Sequence, residues 1–161
     1  MEELHKLEYN ERIMKGVGKD AESMFEAYLT IDLGLVQQKD WVKTGLSPWE
    51  HNIQHIWYYT DVVLVPDYIF NRNGKLYLAE VKGTRKVKVS DYQKLKEMEA
   101  KTQEMPALQV GIAYVNVKNQ TVSWYSISEV TEMWESIETL QYYHETDYKG
   151  DKKGYKELFF K

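Results

Sequence analysis

Two apolar, aromatic-rich runs flank a sharp polar break in the middle of the chain: Val65-Pro66-Asp67-Tyr68-Ile69-Phe70, then Asn73-Gly74, then Leu76-Tyr77-Leu78-Ala79-Glu80-Val81-Lys82-Gly83-Thr84. Asn-Gly between two such runs is the strongest short-range hairpin signal, because both residues accept the positive φ that a tight primed turn demands. The second strand therefore folds back on the first and brings Asp67 near Glu80. Side chains alternate across a strand, so Glu80 and Lys82 share a face with Leu76 and Leu78, while Tyr77, Ala79 and Val81 face the other way. Apolar residues on both faces predict a central strand covered on both sides.

The pattern on either side predicts a single α/β unit without repeats. Ala21, Met24, Phe25, Tyr28 and Leu29 recur at helical spacing and form one apolar stripe, with Asp20 as the expected cap and Gly34 beyond the end. Gln38 to Lys43 reads as a short strand, followed by the turn-rich Thr44-Gly45-Leu46-Ser47-Pro48. Ser90-Asp91-Tyr92-Gln93 opens a second helix as a capping box, and that helix ends before Pro106. Leu108 to Val117 and Thr121 to Ile127 read as strands joined across Lys118-Asn119-Gln120. A last helix begins near Glu129 and buries Val130, Met133, Trp134, Ile137 and Leu140. We expect one domain over 1–141 and a polar C-terminal extension over 142–161, where aromatics alternate with lysines and acids as in a mobile arm or a partner contact.

At 161 residues and 43% hydrophobic composition the chain can bury a core, and the absence of cysteine excludes disulfides, thiol nucleophiles and cysteine-ligated metal. No run of about 18 apolar residues appears, and the first residues lack the pattern of a secretory signal, so the expectation is a cytoplasmic protein with no membrane segment. The formal net charge of −4 argues against a protein that grips a polyanion over its whole surface. The distribution is more informative. From Lys82 to Lys101 seven Lys or Arg face three acids, and from Ser128 to Asp147 there are six acids and no Lys or Arg. The basic run directly follows Glu80, which favours an anionic ligand there and turns the acidic stretch away from it.

Charges on a covered strand are costly unless paired or metal-bound. Two carboxylates beside a lysine suit a hard divalent cation, since Mg²⁺ prefers oxygen ligands and commonly takes one or two protein carboxylates. The bare acid-x-Lys triplet is weak evidence, because four occur: at Glu80, Glu99, Asp147 and Asp151. Only Glu80-Val81-Lys82 lies on a predicted strand after a Pro-Asp, and Pro66-Asp67 is the only Pro-Asp in the chain. Asp61 is a rival to Asp67, although it precedes the apolar run Val62 to Val65 instead of ending it. His51 and His55, four apart, could present two imidazoles to zinc on a helix, but Ile53, His55, Trp57 and Tyr59 also fit a strand, and no third ligand is evident.

Pro66-Asp67 and Glu80-Val81-Lys82 resemble the two core motifs of the PD-(D/E)xK nuclease superfamily, whose restriction-endonuclease-like fold has an αβββαβ core around a central mixed sheet. The resemblance covers roughly residues 16 to 140. In members similar to archaeal-type Holliday-junction resolvases, a Lys-Gly or Gly-Lys segment precedes a helix bearing a glutamate, and Gly18-Lys19-Asp20-Ala21-Glu22 occupies that place. The resemblance implies a metal-dependent nuclease that hydrolyses DNA phosphodiester bonds, either a junction resolvase acting as a homodimer or a phage or other structure-selective endonuclease. In that family Asp67, Glu80 and the Val81 carbonyl would hold Mg²⁺ or Mn²⁺, and Glu22 would complete or steer the metal shell, with Glu26 in reserve. Lys82 would orient and activate water or neutralise the transition state. Gln93 or Lys94 on the following helix would touch substrate or water, and Arg85, Lys86 and Lys88 would contact the phosphate backbone. The segment 44–61 is longer than the resolvase pattern. A catalytically silent nucleic-acid or protein-binding module on the same fold is the alternative, favoured by the acidic total charge.

Overall fold

The Asn-Gly break forms the tight turn its chemistry demands: Asn73 and Gly74 both have positive φ, at 53° and 78°. It joins β2 (Tyr68–Arg72) to β3 (Lys75–Lys82) as an antiparallel hairpin in which Tyr68 pairs with Ala79 and Phe70 with Tyr77. The computed structural model describes residues 17–44, 66–146 and 150–161. In chain order the remaining elements are α1 (Val17–Ala27), continued by one π-helical turn (Tyr28–Asp32), β1 (Trp41–Lys43), β4 (Lys86–Lys88), α2 (Val89–Thr102), β5 (Leu108–Asn116), β6 (Thr121–Ser126), α3 (Ile127–Ser136), β7 (Gln141–Thr146) and β8 (Lys152–Glu157).

Five strands form a mixed sheet in the order β1-β2-β3-β5-β6, and β3 runs parallel to β5 while the other neighbours are antiparallel. A parallel pair needs a crossover, and α2 provides it. The sheet separates two apolar clusters. On one side α1 and its π-helical turn lay Ala21, Phe25 and Leu29 against Trp41, Tyr68, Phe70, Ala79, Val81, Ala113 and Val115. On the other, Leu95 and Met98 of α2 and Val130 and Trp134 of α3 pack on Val110, Ile112 and Tyr114. The central β5 thus sends alternate residues into opposite clusters, as a strand covered on both faces must. At Gly111 a Cβ would stand 2.2 Å from the Tyr125 carbonyl oxygen and 2.7 Å from the Trp124 ring, so only glycine permits this approach of β6.

Several boundaries differ from the sequence pattern. Asp20 is not a cap; it lies inside α1 and is 2% exposed. The helix α2 starts one residue before Ser90, with Lys88 in extended conformation at the cap and no side-chain cap bond, so the capping box with Gln93 does not form. The last helix starts at Ile127, capped by the Ser126 hydroxyl accepting from the Glu129 N–H, and stops at Ser136, so Ile137 and Leu140 lie beyond it. The segment beyond 141 is integrated into the fold. Strands β7 and β8 join β4 in a second, three-stranded antiparallel sheet, and Leu158 and Phe160 are buried in the core beside α3 and β5. The physical reason is the tail's own apolar content: Leu158 and Phe160, two apart, enter the cluster that holds Val87. Among the described residues no helix is long and apolar enough to cross a membrane.

Candidate active site

The register of the hairpin carries its charges into one place. Asp67 directly precedes β2, and its Oδ2 accepts the Val81 N–H of β3 at 2.8 Å. That bond fixes the carboxylate beside the end of β3, where Glu80 and Lys82 share a face. The same face meets α2, whose first turns contribute the partners. Glu80 Oε2 accepts from Lys94 Nζ at 2.8 Å, and Lys82 Nζ donates to Asp91 Oδ2. Glu80 is only 6% exposed, while Val81 points into the opposite apolar cluster.

Burial dominates the electrostatics. Loss of solvent pushes the Glu80 carboxyl up to about 7, and the neighbouring Asp67 charge adds to the rise, while Lys94 and Lys82 oppose it. The Asp67 carboxyl is also raised by burial, against the Val81 N–H and the Lys94 and Lys82 charges; Glu22 reinforces the rise. Burial alone would pull Lys82 down, but Asp91, Glu80 and Asp67 outweigh it and leave the ammonium above its ordinary value. Asp67 and Glu80 are therefore close enough to repel each other, and Lys82 stays a cation among them.

Glu22 lies within electrostatic reach of Asp67, but its Oε2 sits 3.2 Å from Lys43 Nζ on β1. Glu26 is drawn elsewhere and accepts the Tyr68 hydroxyl at 2.7 Å; burial and that carboxylate hold the phenol protonated. Gln93 is exposed, and its side chain makes no hydrogen bond among the described residues. Arg85, Lys86 and Lys88 are exposed and lead into the second sheet, where the Arg85 carbonyl accepts the Leu158 N–H at 2.8 Å. His51, His55 and Asp61 lie outside the described residues.

The sequence reading gave Asp91 and Lys43 no part, and it offered Lys94, beside Gln93, for contact with substrate or water without pairing it with Glu80. A signal for α2 was present: Asp91, Lys94, Leu95 and Met98 follow i, i+3, i+4, i+7 spacing, so two charges stand on the stripe that buries Leu95 and Met98. Charged residues on a buried stripe imply partners across the interface.

Among the described residues no group of three or more His, Cys, Asp or Glu side chains is arranged to hold a metal ion. Two carboxylates nonetheless meet a hard cation's preference, since Mg²⁺ often takes only one or two from protein and fills its shell with water and phosphate. Among the described residues no hydrogen bond reaches Asp67 Oδ1 or Glu80 Oε1, which leaves one oxygen of each for such an ion. Comparison of the chain with protein-family models, with curated proteins and with solved structures returns no match.

Proposed function

We propose that this protein is a metal-dependent nuclease that hydrolyses DNA phosphodiester bonds, with Asp67, Glu80 and Lys82 at its centre. The observation that carries the reading is the convergence of the buried Glu80, the half-buried Asp67 that repels it and one protonated lysine at the end of a central strand. Buried charges of this kind are retained at a cost, and perturbed carboxyls cluster at functional sites. The order α1, β1, β2, β3, α2, β5 supports a restriction-endonuclease-like αβββαβ core, with β4 inserted before the crossover helix.

Asp67 and Glu80 would hold Mg²⁺ or Mn²⁺, which when bound stabilises negative charge on a phosphate oxygen and lowers the pKa of water. The residues themselves do the rest. Lys82 remains protonated, so it serves as a fixed positive charge for the transition state, not as a base. Asp91 holds that ammonium in place. Lys94 neutralises Glu80 and would have to share it with the cation. Glu22 tunes Asp67 from a distance while Lys43 restrains it.

The test is cleavage of end-labelled single-stranded, duplex, flapped and four-way DNA in Mg²⁺ or Mn²⁺, with Glu80→Ala and Asp67→Ala proteins as controls. Metal-dependent cleavage that falls by on the order of 10²-fold or more in both variants is expected. Tight binding without cleavage in either metal would replace this reading with a silent binding module. A junction resolvase would in addition sediment as a dimer and prefer the four-way substrate.

A further inference from the structure

The second sheet presents a face that the hydrolytic centre does not use. In β4 Val87 turns into the core and is fully buried, so Lys86 and Lys88 point to the opposite side. Register places Lys88 opposite Tyr155 and Lys86 opposite Glu157, and Gln141 of β7 flanks Tyr155 from the other edge. On this side the Lys86 ammonium stands 5.1 Å from the Tyr155 ring centroid and 5.9 Å from that of Tyr143, and Lys88 is 6.0 Å from Tyr143. The two tyrosine rings meet at 4.4 Å. Lys153, two residues before Tyr155 on β8, belongs to the same face. Among the described side chains of these three strands, three lysines and a tyrosine pair are thus set against one acid, Glu157, with Asp91 of α2 also within electrostatic reach of Tyr143, although the chain as a whole is acidic.

This face adjoins the carboxylate centre. Only Gly83, Thr84 and Arg85 separate Lys82, the end of β3, from Lys86, the start of β4. The charges of Lys82 and Asp91 both act on the Tyr143 hydroxyl, whose pKa is raised first by burial, lowered by Lys86 and Lys82, and raised again by Tyr155 and Asp91. Tyr143 therefore lies within electrostatic reach of the lysine of the proposed active site as well as of the lysine strip.

We infer that the β4-β8-β7 face is a binding platform for single-stranded nucleic acid, with an unpaired base against the Tyr143 ring and the flanking phosphates on Lys86 and Lys88. The inference rests on the nuclease reading of the adjoining carboxylates, and it names the substrate class that the site would receive. The half-buried Tyr143 ring offers a π surface backed by Tyr155, and the exposed lysine ends can pass from the rings to phosphates without disturbing the strand. Aromatic stacking beside a cationic track is how strands are held without sequence preference. In a duplex the base faces are already stacked on their neighbours, so a paired strand gains the lysines and forfeits the ring.

The experiment is fluorescence anisotropy in EDTA, with wild-type protein and labelled oligo-dT and oligo-rU of about 12 nucleotides, within the ~4–16 that such platforms occupy, and a duplex of equal length. Wild type should bind a single strand more tightly than the duplex, and the dT and rU arms tell whether deoxyribose or ribose is preferred. Tyr143→Ala should weaken single-strand binding about tenfold, and Tyr143→Phe should retain it, because the ring and not the hydroxyl makes the contact. Lys86→Ala with Lys88→Ala should weaken binding and shrink its salt dependence by about two phosphate contacts. If Tyr143→Ala fails to fold, Tyr143→Leu keeps the apolar bulk and removes the π face. Equal affinity of wild type and the ring-less variant, tighter binding to duplex, or no binding to either strand would overturn the inference. Because EDTA removes metal-dependent chemistry, the two readings fail separately: Tyr143-dependent binding without cleavage in Mg²⁺ sinks the nuclease alone. Metal-dependent cleavage that is indifferent to Tyr143 and to strandedness sinks the platform alone.

Discussion

Helix α2 carries ion pairs on two faces, and they share a geometry but not an environment. Toward the sheet, Lys94 meets Glu80 at 2.8 Å with side chains 16% and 8% exposed. Toward solvent, Lys96 meets Glu99 at the same 2.8 Å, but with side chains 38% and 33% exposed. Distance alone would rate them equal. Burial separates them, because removing a partner from a desolvated charge strands the other, whereas water replaces a lost partner at the surface. The inner face of α2 is therefore a place where charges are locked together, and the outer face one where they merely coexist.

The contrast can be broken most severely at Lys94. Lys94→Met leaves Glu80 buried without its cation and should cost about 3 kcal/mol at pH 8, read by denaturant unfolding. Below the ordinary carboxylate range Glu80 is protonated in both proteins and the difference should shrink. A loss under about 0.5 kcal/mol at pH 8 would mean that the inner pair behaves like a surface pair.

Wild-type stability should itself depend on pH with a definite sign. Glu80 titrates near 7 when folded against an ordinary value of 4.5, so the folded state holds its proton more tightly. Its contribution is fully present below about pH 4.5 and is lost as pH rises through 7, on the order of 3 kcal/mol, and Asp67 acts in the same direction. Glu80→Gln should flatten that limb in urea melts across pH 4.5 to 8. An equally steep limb in the variant would assign the dependence to other groups.

Adding Mg²⁺ sharpens the same comparison. The cation binds ionised carboxylates, so protons compete with it as pH falls below 7. At ten times its Kd, Mg²⁺ should stabilise wild type by about 1.4 kcal/mol at pH 8, less at pH 6, and Glu80→Gln not at all. A thermal shift that is the same at both pH values would place the ion elsewhere. The smallest effect belongs to the outer face: Lys96→Ala should change stability by no more than about 0.5 kcal/mol. A larger loss would show that its 3.4 Å contact with the Thr131 hydroxyl on α3 matters more than the ion pair.

Local chemistry made the hairpin, the α1 stripe and the faces of β3 legible. Asn-Gly fixes its turn from its own backbone preferences, and alternation along eight residues needs no partner to be read. The candidate site was legible to the extent that it lies on that hairpin, which is why Asp67, Glu80 and Lys82 could be named together. Its partners were not. Lys43, Asp91 and Lys94 come from β1 and α2, and only packing of those elements decides which cation meets which acid. Charge counting recorded the basic run at Arg85, Lys86 and Lys88 but not its shape, since only pairing with the tail makes Lys86 to Lys88 one strand of a second sheet.

The tail shows most clearly where sequence reading stops. Tyrosines from 142 onward favour strands, but they specify neither the strand each pairs with nor the core that the tail enters. Leu158 and Phe160 are buried only by joining Val87, Tyr114 and the apolar residues of α3 in one cluster. By itself the sequence determined the turn, the strand faces and the charges that had to be either paired or functional, since these follow from backbone preference and periodicity over a few residues. The tertiary structure alone decided how those charges pair, how far burial raises the two carboxyls, and that a lysine–tyrosine face stands beside them. Desolvation and long-range contact are properties of the packed whole.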